Sequence, residues 1–354
     1  MIDKRREHLI SVVVVNYNGT DHLRKCLSGL VNQTYQPFEI LVVDNCSDQP
    51  PYSVMKGYPQ IRLVRAKKNY GYGGACNLGM KKSSGELVVF LNNDTFAPPE
   101  WLELMTTTMN DHPDAAIIGC KVIQMDNKLI DSAGAIIEYP SGVSYARGYL
   151  EQDVGDYDKT IEIAAIGGAA FMVRRDAYKL IGGFDSSFFL YYDEIHLCWT
   201  ARLAGYKVIY TPHATILHFG SYGLGKRSPE KIRYEERNRT LAMIALLKPR
   251  NLLTFLAFEF ADTMLVLLGI MVYRKYAAFG LAKLKGLLQS VPRLSHAYRE
   301  RKRIQHLRKV SDDEIFHLHK RQTLFSSAMR YLQTASSQSG ALFARDGYGS
   351  IDDR

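Results

Sequence analysis

The feature that most constrains the fold is a series of short apolar runs, each of which ends in polar residues. The runs are VVVV (12–15), EILVVDN (39–45), IRLVRA (61–66) and LVVFLNND (87–94). Uninterrupted apolar runs of this length are typical of strands that are covered on both faces. Helix-like segments such as residues 20–33 lie between them, so the order predicts βαβ units. We therefore predict an α/β fold in which a mainly parallel sheet carries helices on both faces.

Polar residues collect at the carboxyl ends of the predicted strands, where parallel sheets bind their ligands. They are Asn16, Asn18, Asp44, Asn45, Asn92, Asn93 and Asp94. Asp94 can present oxygen atoms to Mg²⁺ or Mn²⁺, which proteins usually hold with one or two carboxylates and the substrate's phosphates. Asp44 can accept a hydrogen bond from a nucleotide base or ribose. A turn explains either carboxylate alone, but it does not explain acids at two strand ends.

The segment NYGYGGACNLGM at 69–80 contains closely spaced glycines. A dinucleotide-binding fingerprint would directly follow the first strand. This segment begins far beyond that strand, which argues against a dehydrogenase. We interpret it as a glycine-rich turn that leads into a helix, where backbone N–H groups can approach a phosphate or a ribose. Its candidate ligand-binding residues are Asn69, Gly71 and Asn77.

Two adjacent acids, Asp193 and Glu194, stand at the start of a helix that we predict over 193–205. Carboxylates in this position can cap the helix. Alternatively, one of them can act as a general base and take the proton from an attacking hydroxyl group. His218 follows a β-rich stretch, and it is either a structural histidine or a member of the metal or phosphate site.

The C-terminal third combines an apolar segment with a basic one. Residues 252–273 are mostly apolar and long enough to span a bilayer, but Glu259 and Asp262 lie near the middle and make spanning costly. Residues 274–309 then carry eleven Lys or Arg against one acid. An amphipathic helix on an anionic membrane surface fits best, with residues 252–309 as the contact. A core helix is the alternative, and no nucleic-acid motif accompanies the basic residues.

The cysteines and the N-terminus indicate a reducing compartment. The five cysteines are scattered and lack CxxC spacing, which argues against a disulfide framework or a structural zinc site. The start MIDKRREHLISVVVV resembles a signal peptide superficially, but its apolar part is short and leads into NYNG without a cleavage site. We predict a cytoplasmic protein, peripheral at the inner face of the cell membrane.

Six segments occur in a recognisable order: VVVVNYNG, VDNCSD, NYGYGGACNLGM, LNNDT, GGFDSSFFLYYDEIHLCWTARLAGYK and HFGS. The series resembles family 2 glycosyltransferases, in particular the rhamnosyltransferase-like branch. The resemblance implies the GT-A fold, a nucleotide-sugar donor, Mg²⁺ or Mn²⁺, and inversion at the anomeric carbon. The family's Glu-Asp-x-Asp pattern is replaced here by Asp193-Glu194-Ile195-His196, so the base is either Glu194 or Asp193. Thr200 replaces a frequent Arg, while Arg202 remains.

By matching position, the resemblance implies that Asp44 contacts the nucleoside, that Asp94 contacts the metal and diphosphate, and that Glu194 fills the position of the base. We expect nucleotide-sugar contacts from Asn16, Asn18, Asp44, Asn69, Gly71, Asn77, Asn93 and Arg202, and metal contacts from Asp94 and His218. We expect a GT-A catalytic domain over 1–240, a helical membrane-associating extension over 241–330 and a disordered tail over 331–354. The oligomeric state is open.

The predicted function is inverting transfer of rhamnose or another hexose from a nucleotide diphosphate to a lipid-linked or cell-surface glycan. Two alternatives are a catalytically degenerate sugar-binding or scaffold subunit, suggested by the altered 193–196 segment, and a nucleotidyltransferase that makes nucleotide sugars. The second would need a Gly-rich loop with Lys or Arg directly after the first strand, and VVVVNYNGTDHLRK has none within the turn.

Overall fold

The computed structural model describes residues 8–220, 228–272, 277–327 and 329, and it has an α/β fold. The strands are β1 (Ile10–Asn16), β2 (Phe38–Asp44), β3 (Arg62–Arg65), β4 (Leu87–Asn92), β5 (Thr95–Phe96), β6 (Ala115–Gln124), β7 (Ile130–Ser132), β8 (Ala135–Tyr139), β9 (Ser144–Ala146), β10 (Ile161–Glu162), β11 (Ala170–Arg174), β12 (Lys207–His218) and β13 (Lys320–Arg321). The helices are α1 (Thr20–Leu30), α2 (Tyr52–Met55), α3 (Gly71–Lys82), α4 (Trp101–Asp111), α5 (Arg175–Leu180), α6 (Asp193–Leu203), α7 (Pro229–Leu246), α8 (Pro249–Val272), α9 (Ala277–Ser290), α10 (Leu294–Leu307) and α11 (Asp312–Phe316).

The central sheet has the strand order β10-β12-β6-β11-β4-β1-β2-β3, with β5 attached to β12 and β7 attached to β6. Strands β1 to β4 pair in parallel, as predicted. The other half is mixed, because β11 runs antiparallel between β4 and β6. The sheet is nevertheless mainly parallel, as predicted, because β6 and β12 also pair in parallel; β11 is the main exception. The chain between β6 and β11 contains only short strands, and a parallel return would need a crossover of a dozen or more residues, usually a helix.

Side chains of β1 alternate between two cores, one on each face of the sheet. Val13 and Val15 belong to the core that includes α3 and α6. Val12 and Val14 belong to the core that includes α1 and α4. Successive side chains of a strand point to opposite faces, so helices on both sides keep this strand dry. Its polar end is consequently presented at the edge of the sheet.

The C-terminal helices share the core that contains Val13. That core continues into Leu246 of α7, Phe255 of α8 and Ile304 of α10. The predicted boundary at residue 240 falls inside α7, and β13 pairs with β8. Helices α7 to α11 are therefore packed on the sheet as one body with it. The predicted tail at 331–354 lies outside the described residues.

Helix α8 turns its two acids towards the protein. Among the described residues, Pro249–Met271 is the one segment that is long and apolar enough to cross a membrane, by length and composition. Of the 18-residue apolar stretch within it, 22% is buried. Glu259 accepts a hydrogen bond from Arg239 of α7 at 2.7 Å and forms an ion pair with Lys283 of α9 at 2.9 Å. Lys283 also donates to Asp262 at 2.6 Å. The two acids are thus neutralised inside the protein.

Candidate functional site

The carboxyl ends of β1, β2, β3 and β4 meet at one edge of the sheet, called the strand-end edge below. In register, Asn16 lies beside Asp44, and Asp44 lies beside Arg65. Asn93 follows β4, and its Nδ2 donates to Oδ1 of Asn16 at 2.7 Å. Asn18 exchanges two hydrogen bonds with Asp48, at 3.0 and 2.9 Å, and so ties the loops after β1 and β2 together. The strand-end residues are thus brought together, as predicted.

Asp44 is completely buried at this edge, and one of its oxygen atoms is left for a ligand. Its Oδ1 accepts hydrogen bonds from Asn16 Nδ2 at 3.2 Å and from Ser47 Oγ at 2.5 Å. Its Oδ2 has no hydrogen-bond partner among the described residues, although Nε of Arg65 lies 3.7 Å away. An unpaired buried carboxylate oxygen is costly. This atom therefore marks a point where an N–H or O–H group of a ligand can donate.

A second cluster forms where β5 pairs with β12. This pairing sets His218 opposite Thr95, so Nε2 of His218 lies 3.2 Å from Oδ1 of Asp94. Nδ1 of the same ring lies 2.8 Å from Oδ2 of Asp131 in β7. Burial alone would lower the pKa of His218, but the two neighbouring carboxylates of Asp131 and Asp94 raise it to about 10. The imidazole is therefore held between two carboxylates.

Asp94 and His218 fit a divalent cation that a substrate helps to hold, provided that the cation displaces the proton that the raised pKa of His218 keeps on the imidazole. Neighbouring ligands of an octahedral Mg²⁺ stand about 3 Å apart for bonds of about 2.1 Å, and the measured separation of Oδ1 and Nε2 is 3.2 Å. A carboxylate on the other ring nitrogen, as in Asp131, is the usual orienting partner of a metal-bound histidine. Within the described part of the chain, no group of three His, Cys, Asp or Glu could hold a metal by itself. A cation here therefore needs oxygen atoms from a ligand such as a diphosphate.

The glycine-rich segment packs against the loop before α6. The backbone N–H groups of residues 71–73 donate to Asn69 Oδ1, to Phe189 O and to Asp193 Oδ2. These N–H groups are therefore engaged within the protein, and their role as phosphate or ribose donors stays a prediction. The first glycine also permits a close approach: a Cβ on Gly71 would lie 2.0 Å from Phe189 O.

Asp193 and Glu194 have different environments at the start of α6. Asp193 is 3% exposed and accepts a hydrogen bond from Gly73 N at 3.1 Å. Burial, together with the neighbouring Glu194, raises the pKa of Asp193 well above its usual value. Glu194 is half-buried, and a Cβ on Gly168 would lie 3.2 Å from its Oε1. Asp193 thus joins α6 to α3, whereas Glu194 extends over a glycine close to the end of β4.

Two of the predicted ligand residues have partners inside the protein. Nδ2 of Asn77 donates to Phe184 O at 2.9 Å. Arg202 lies near the far end of α6 and donates to Glu162 Oε1 at 2.6 Å and to Ile163 O at 3.2 Å. Asn77 therefore fixes the loop after α5, and Arg202 joins α6 to β10.

Arg65 and Asp131 belong to this region but were not among the predicted residues. Arg65 ends β3, so the strand-end rule that found Asp44 also applies to it. Asp131 has no comparable signal in the sequence. It reaches His218 only because β7 and β12 flank β6 in the folded sheet.

Residues 11–182 match the family model described as glycosyl transferase family 2. The chain is also 26% identical over 242 residues to the N-acetylglucosaminyl-diphospho-decaprenol L-rhamnosyltransferase of Mycobacterium tuberculosis, with 62% of this chain and 78% of the relative covered. Residues 11–182 therefore form a family 2 glycosyltransferase domain, as the ordered segments predicted, and this favours a glycosyltransferase over a nucleotidyltransferase.

Two solved structures share the fold. GalNAc-T7 with UDP, GalNAc and Mn²⁺ has a TM-score of 0.58 at 14% identity, and 73% of this chain covers 51% of that one, about half its length. Mannosyltransferase PcManGT from Pyrobaculum calidifontis, in complex with GDP-Man and Mn²⁺, has a TM-score of 0.51 at 15% identity, with 93% and 88% covered. The predicted GT-A fold with a C-terminal helical extension is thus confirmed.

Proposed function

We propose that this enzyme is an inverting hexosyltransferase, which moves rhamnose or a related hexose from a nucleoside diphosphate to a lipid-linked or cell-surface glycan. The observation that carries the proposal is one edge of the sheet with three kinds of group. These are the unpaired oxygen of Asp44, the Asp94–His218 pair, and a partly accessible Glu194 at the start of α6.

The donor binds along the strand-end edge. Oδ2 of Asp44 accepts a hydrogen bond from the base or ribose, because it is buried and has no partner within the described residues. Asn16 and Asn93 line the path from there to Asp94. Asp94 and His218 hold Mg²⁺ or Mn²⁺, which when bound neutralises charge on the leaving diphosphate. The Mn²⁺ in the two structural neighbours supports this choice of cation.

Glu194 is the general base, and Asp193 is its support. Inversion requires a carboxylate that takes the proton of the acceptor hydroxyl group as its oxygen attacks the anomeric carbon. Asp193 is unsuited as the base, because it is buried against Gly73 N and because its raised pKa favours the protonated form, which cannot take up a proton. Glu194 is the more exposed of the two. The base therefore stands one residue after the acid that fixes the start of its helix.

The acceptor is a glycan on a polyprenyl diphosphate. The mycobacterial relative is called an N-acetylglucosaminyl-diphospho-decaprenol L-rhamnosyltransferase, which supports both this acceptor class and rhamnose as the sugar. Such an acceptor lies in a membrane. Its reducing end is anchored there, so the enzyme has to work at the bilayer surface.

Residues 252–309 hold the enzyme at the inner face of the cell membrane. The large exposed apolar side chains of this region are Leu253, Leu256, Phe260, Met264, Leu268, Met271, Leu281, Leu288, Val291, Leu294 and Tyr298. Exposed cations flank them, including Lys285, Arg299 and Lys302. Among the described residues from 249 to 309, each acid pairs with a cation. An apolar face with basic flanks and inward acids is complementary to an anionic lipid surface.

The test is a donor screen with the full chain in Mn²⁺, a polyprenyl-diphosphate N-acetylglucosamine acceptor and a panel of nucleotide sugars. We expect one donor to be consumed, with release of a nucleoside diphosphate and an inverted anomeric centre by NMR. Asp94→Ala should reduce turnover to background, while Asp111→Ala, an exposed acid at the end of α4, should not. Equal turnover in both variants would contradict the assignment of Asp94 as a metal ligand. No reaction with any donor would favour a scaffold subunit.

A further inference from the structure

The loop before α6 is held in an unusual backbone conformation. Phe189, Tyr191 and Tyr192 have φ angles of 68°, 66° and 68°. This left-handed region is unfavourable for residues with a Cβ, and above all for bulky ones. Such a conformation persists only where the surroundings impose it. Asp193 and Glu194 follow directly, so the path of this loop sets the direction in which α6 begins.

One buried amide, that of Asn238 in α7, contacts the backbone of this loop. Its Nδ2 lies 3.1 Å from Phe188 O, 2.8 Å from Leu190 O and 2.7 Å from Tyr191 O. Asn238 is 0% exposed. Three carbonyl oxygens thus converge on one nitrogen with two hydrogen atoms, and they can do so only while the loop keeps its left-handed turns.

The neighbouring Arg237 fixes which end of the amide faces the loop. Nε of Arg237 donates to Oδ1 of Asn238 at 2.9 Å. A guanidinium group can only donate, so the amide oxygen must face it and the amide nitrogen must face the loop. Nη2 of Arg237 also donates to Phe188 O at 2.6 Å. The two residues therefore act on the loop as a pair with a defined orientation.

Other elements, α3 and the turn between β8 and β9, also bind the loop. Tyr72 N donates to Phe189 O at 2.9 Å, and the hydroxyl group of Tyr192 donates to Gly142 O at 2.6 Å. The loop is consequently clamped between α3, the β8–β9 turn and α7. Of these contacts, that of Asn238 is the one in which a single side chain lies within hydrogen-bond distance of three backbone carbonyl groups of the loop, those of residues 188, 190 and 191.

We propose that Asn238 is a positioning residue that holds Glu194 in place for proton transfer. This inference rests on the proposed function of Glu194. Loss of the amide frees the peptides of residues 190 and 191 to leave their strained geometry, and the first turn of α6 moves with them. The donor-binding groups at Asp44 and Asp94 lie on other elements, so nucleotide affinity is independent of Asn238.

The experiment compares Asn238→Ala with Asn251→Ala, a matched control whose Nδ2 donates to Asp312 at 2.8 Å. For Asn238→Ala we expect kcat to fall about 100-fold, the size of effect seen for small misplacements of reacting groups. The Kd of the nucleoside diphosphate with Mn²⁺ should stay within about twofold of wild type. A comparable fall in the control, or a parallel loss of nucleotide affinity, would overturn the proposal.

A second variant tests whether Asn238 acts through the backbone of the loop. Glycine adopts positive φ freely, so Tyr191→Gly removes part of the strain that Asn238 opposes. In that background, Asn238→Ala should lower kcat by a clearly smaller factor than in wild type. Equal factors in the two backgrounds would contradict the proposed route.

Hydrogen exchange separates this proposal from the proposed function. Backbone amides of residues 188–196 should exchange faster in Asn238→Ala, and those of β1 should not change. Unchanged exchange at residues 188–196 would contradict the proposal that Asn238 holds this loop, whatever the enzyme catalyses. Faster exchange in a protein that transfers no sugar would support that role of Asn238 and reject the role of Glu194 as the base.

Discussion

Nε2 of His218 lies 3.2 Å from Oδ1 of Asp94, which joins the end of β12 to the residue directly before β5. The contact depends on the pairing of β5 with β12. It brings an imidazole to the carboxylate of the LNNDT segment, next to the edge where Oδ2 of Asp44 has no hydrogen-bond partner in the described part of the chain. The proposed cation site is therefore built by the sheet itself rather than by a flexible loop.

The first prediction concerns Asp131, which orients His218 through Nδ1 at 2.8 Å. Loss of an orienting carboxylate typically weakens metal binding 10–100-fold. We therefore expect Asp131→Asn to raise the Mn²⁺ concentration needed for half-saturation in the presence of a nucleoside diphosphate by about 10–100-fold. Electron paramagnetic resonance of free Mn²⁺ measures this without turnover. Asp111→Asn, at the opposite edge of the sheet, should bind like wild type; equal weakening in both would contradict the assignment.

The second prediction separates the two candidate bases. Loss of a general base typically costs about 10²–10⁴-fold, so Glu194→Gln should lower kcat by that amount and leave donor affinity unchanged. Asp193→Asn keeps an oxygen that can accept from Gly73 N, so it should retain most of kcat. Steady-state kinetics and calorimetric donor titration measure the two quantities. The opposite ranking of the variants would identify Asp193 as the base.

The strand-end cluster could be predicted from the sequence, and the reason is local. The run Val12 to Val15 is apolar at every position because helices cover both faces of β1, so the polar residues that follow must lie at the edge of the sheet. No comparable sequence pattern predicted that β11 runs antiparallel to its neighbours. Asn238 was also invisible, because an asparagine within α7 becomes a clamp only when the loop at 188–192 packs against it.

The inward acids of α8 show the same limit. As long as their partners are unknown, Glu259 and Asp262 count only as a cost against spanning the membrane. Arg239 and Lys283 lie on two other helices, and only the packing of α7, α8 and α9 reveals the pairing. Burial in an ion-pair cluster therefore changes the interpretation of the whole segment.

The third prediction concerns the membrane face. Leu253, Phe260 and Met271 are 69%, 67% and 72% exposed, so their replacement by Glu should leave the fold intact. Complete transfer of such a side chain from water contributes about 1.5–3 kcal/mol, and partial insertion contributes less. We expect the triple Glu variant to bind vesicles of phosphatidylglycerol and phosphatidylcholine at least about 100-fold more weakly. Co-sedimentation measures the partition.

Val154→Glu is the matched control for the membrane face, because Val154 is 70% exposed and lies outside the C-terminal helices. Its vesicle binding should equal that of wild type. Binding of wild type should also fall with salt, since exposed cations attract anionic headgroups. Equal binding by the triple variant and wild type would reject this surface as the lipid contact.

The fourth prediction concerns Glu236, which shares the buried cluster with Arg239, Glu259 and Lys283. Burial raises the pKa of Glu236 from 4.5 to about 7, although Arg239 opposes the shift. The folded protein therefore keeps a proton that the unfolded chain releases between these pH values. The contribution of this bound proton to the free energy of unfolding is fully present below about pH 4.5 and is lost as the pH rises through about 7.

Glu236→Gln keeps the shape and removes this titration. A shift of this size corresponds to on the order of 3 kcal/mol, so the free energy of unfolding of the variant relative to wild type should rise by roughly that amount between pH 4.5 and pH 8. Urea unfolding of both proteins at several pH values measures the difference. The buried histidines titrate in both proteins and cancel. Parallel pH curves for the two proteins would show that Glu236 is ionised throughout, with Arg239 and Lys283 as its counter-charges.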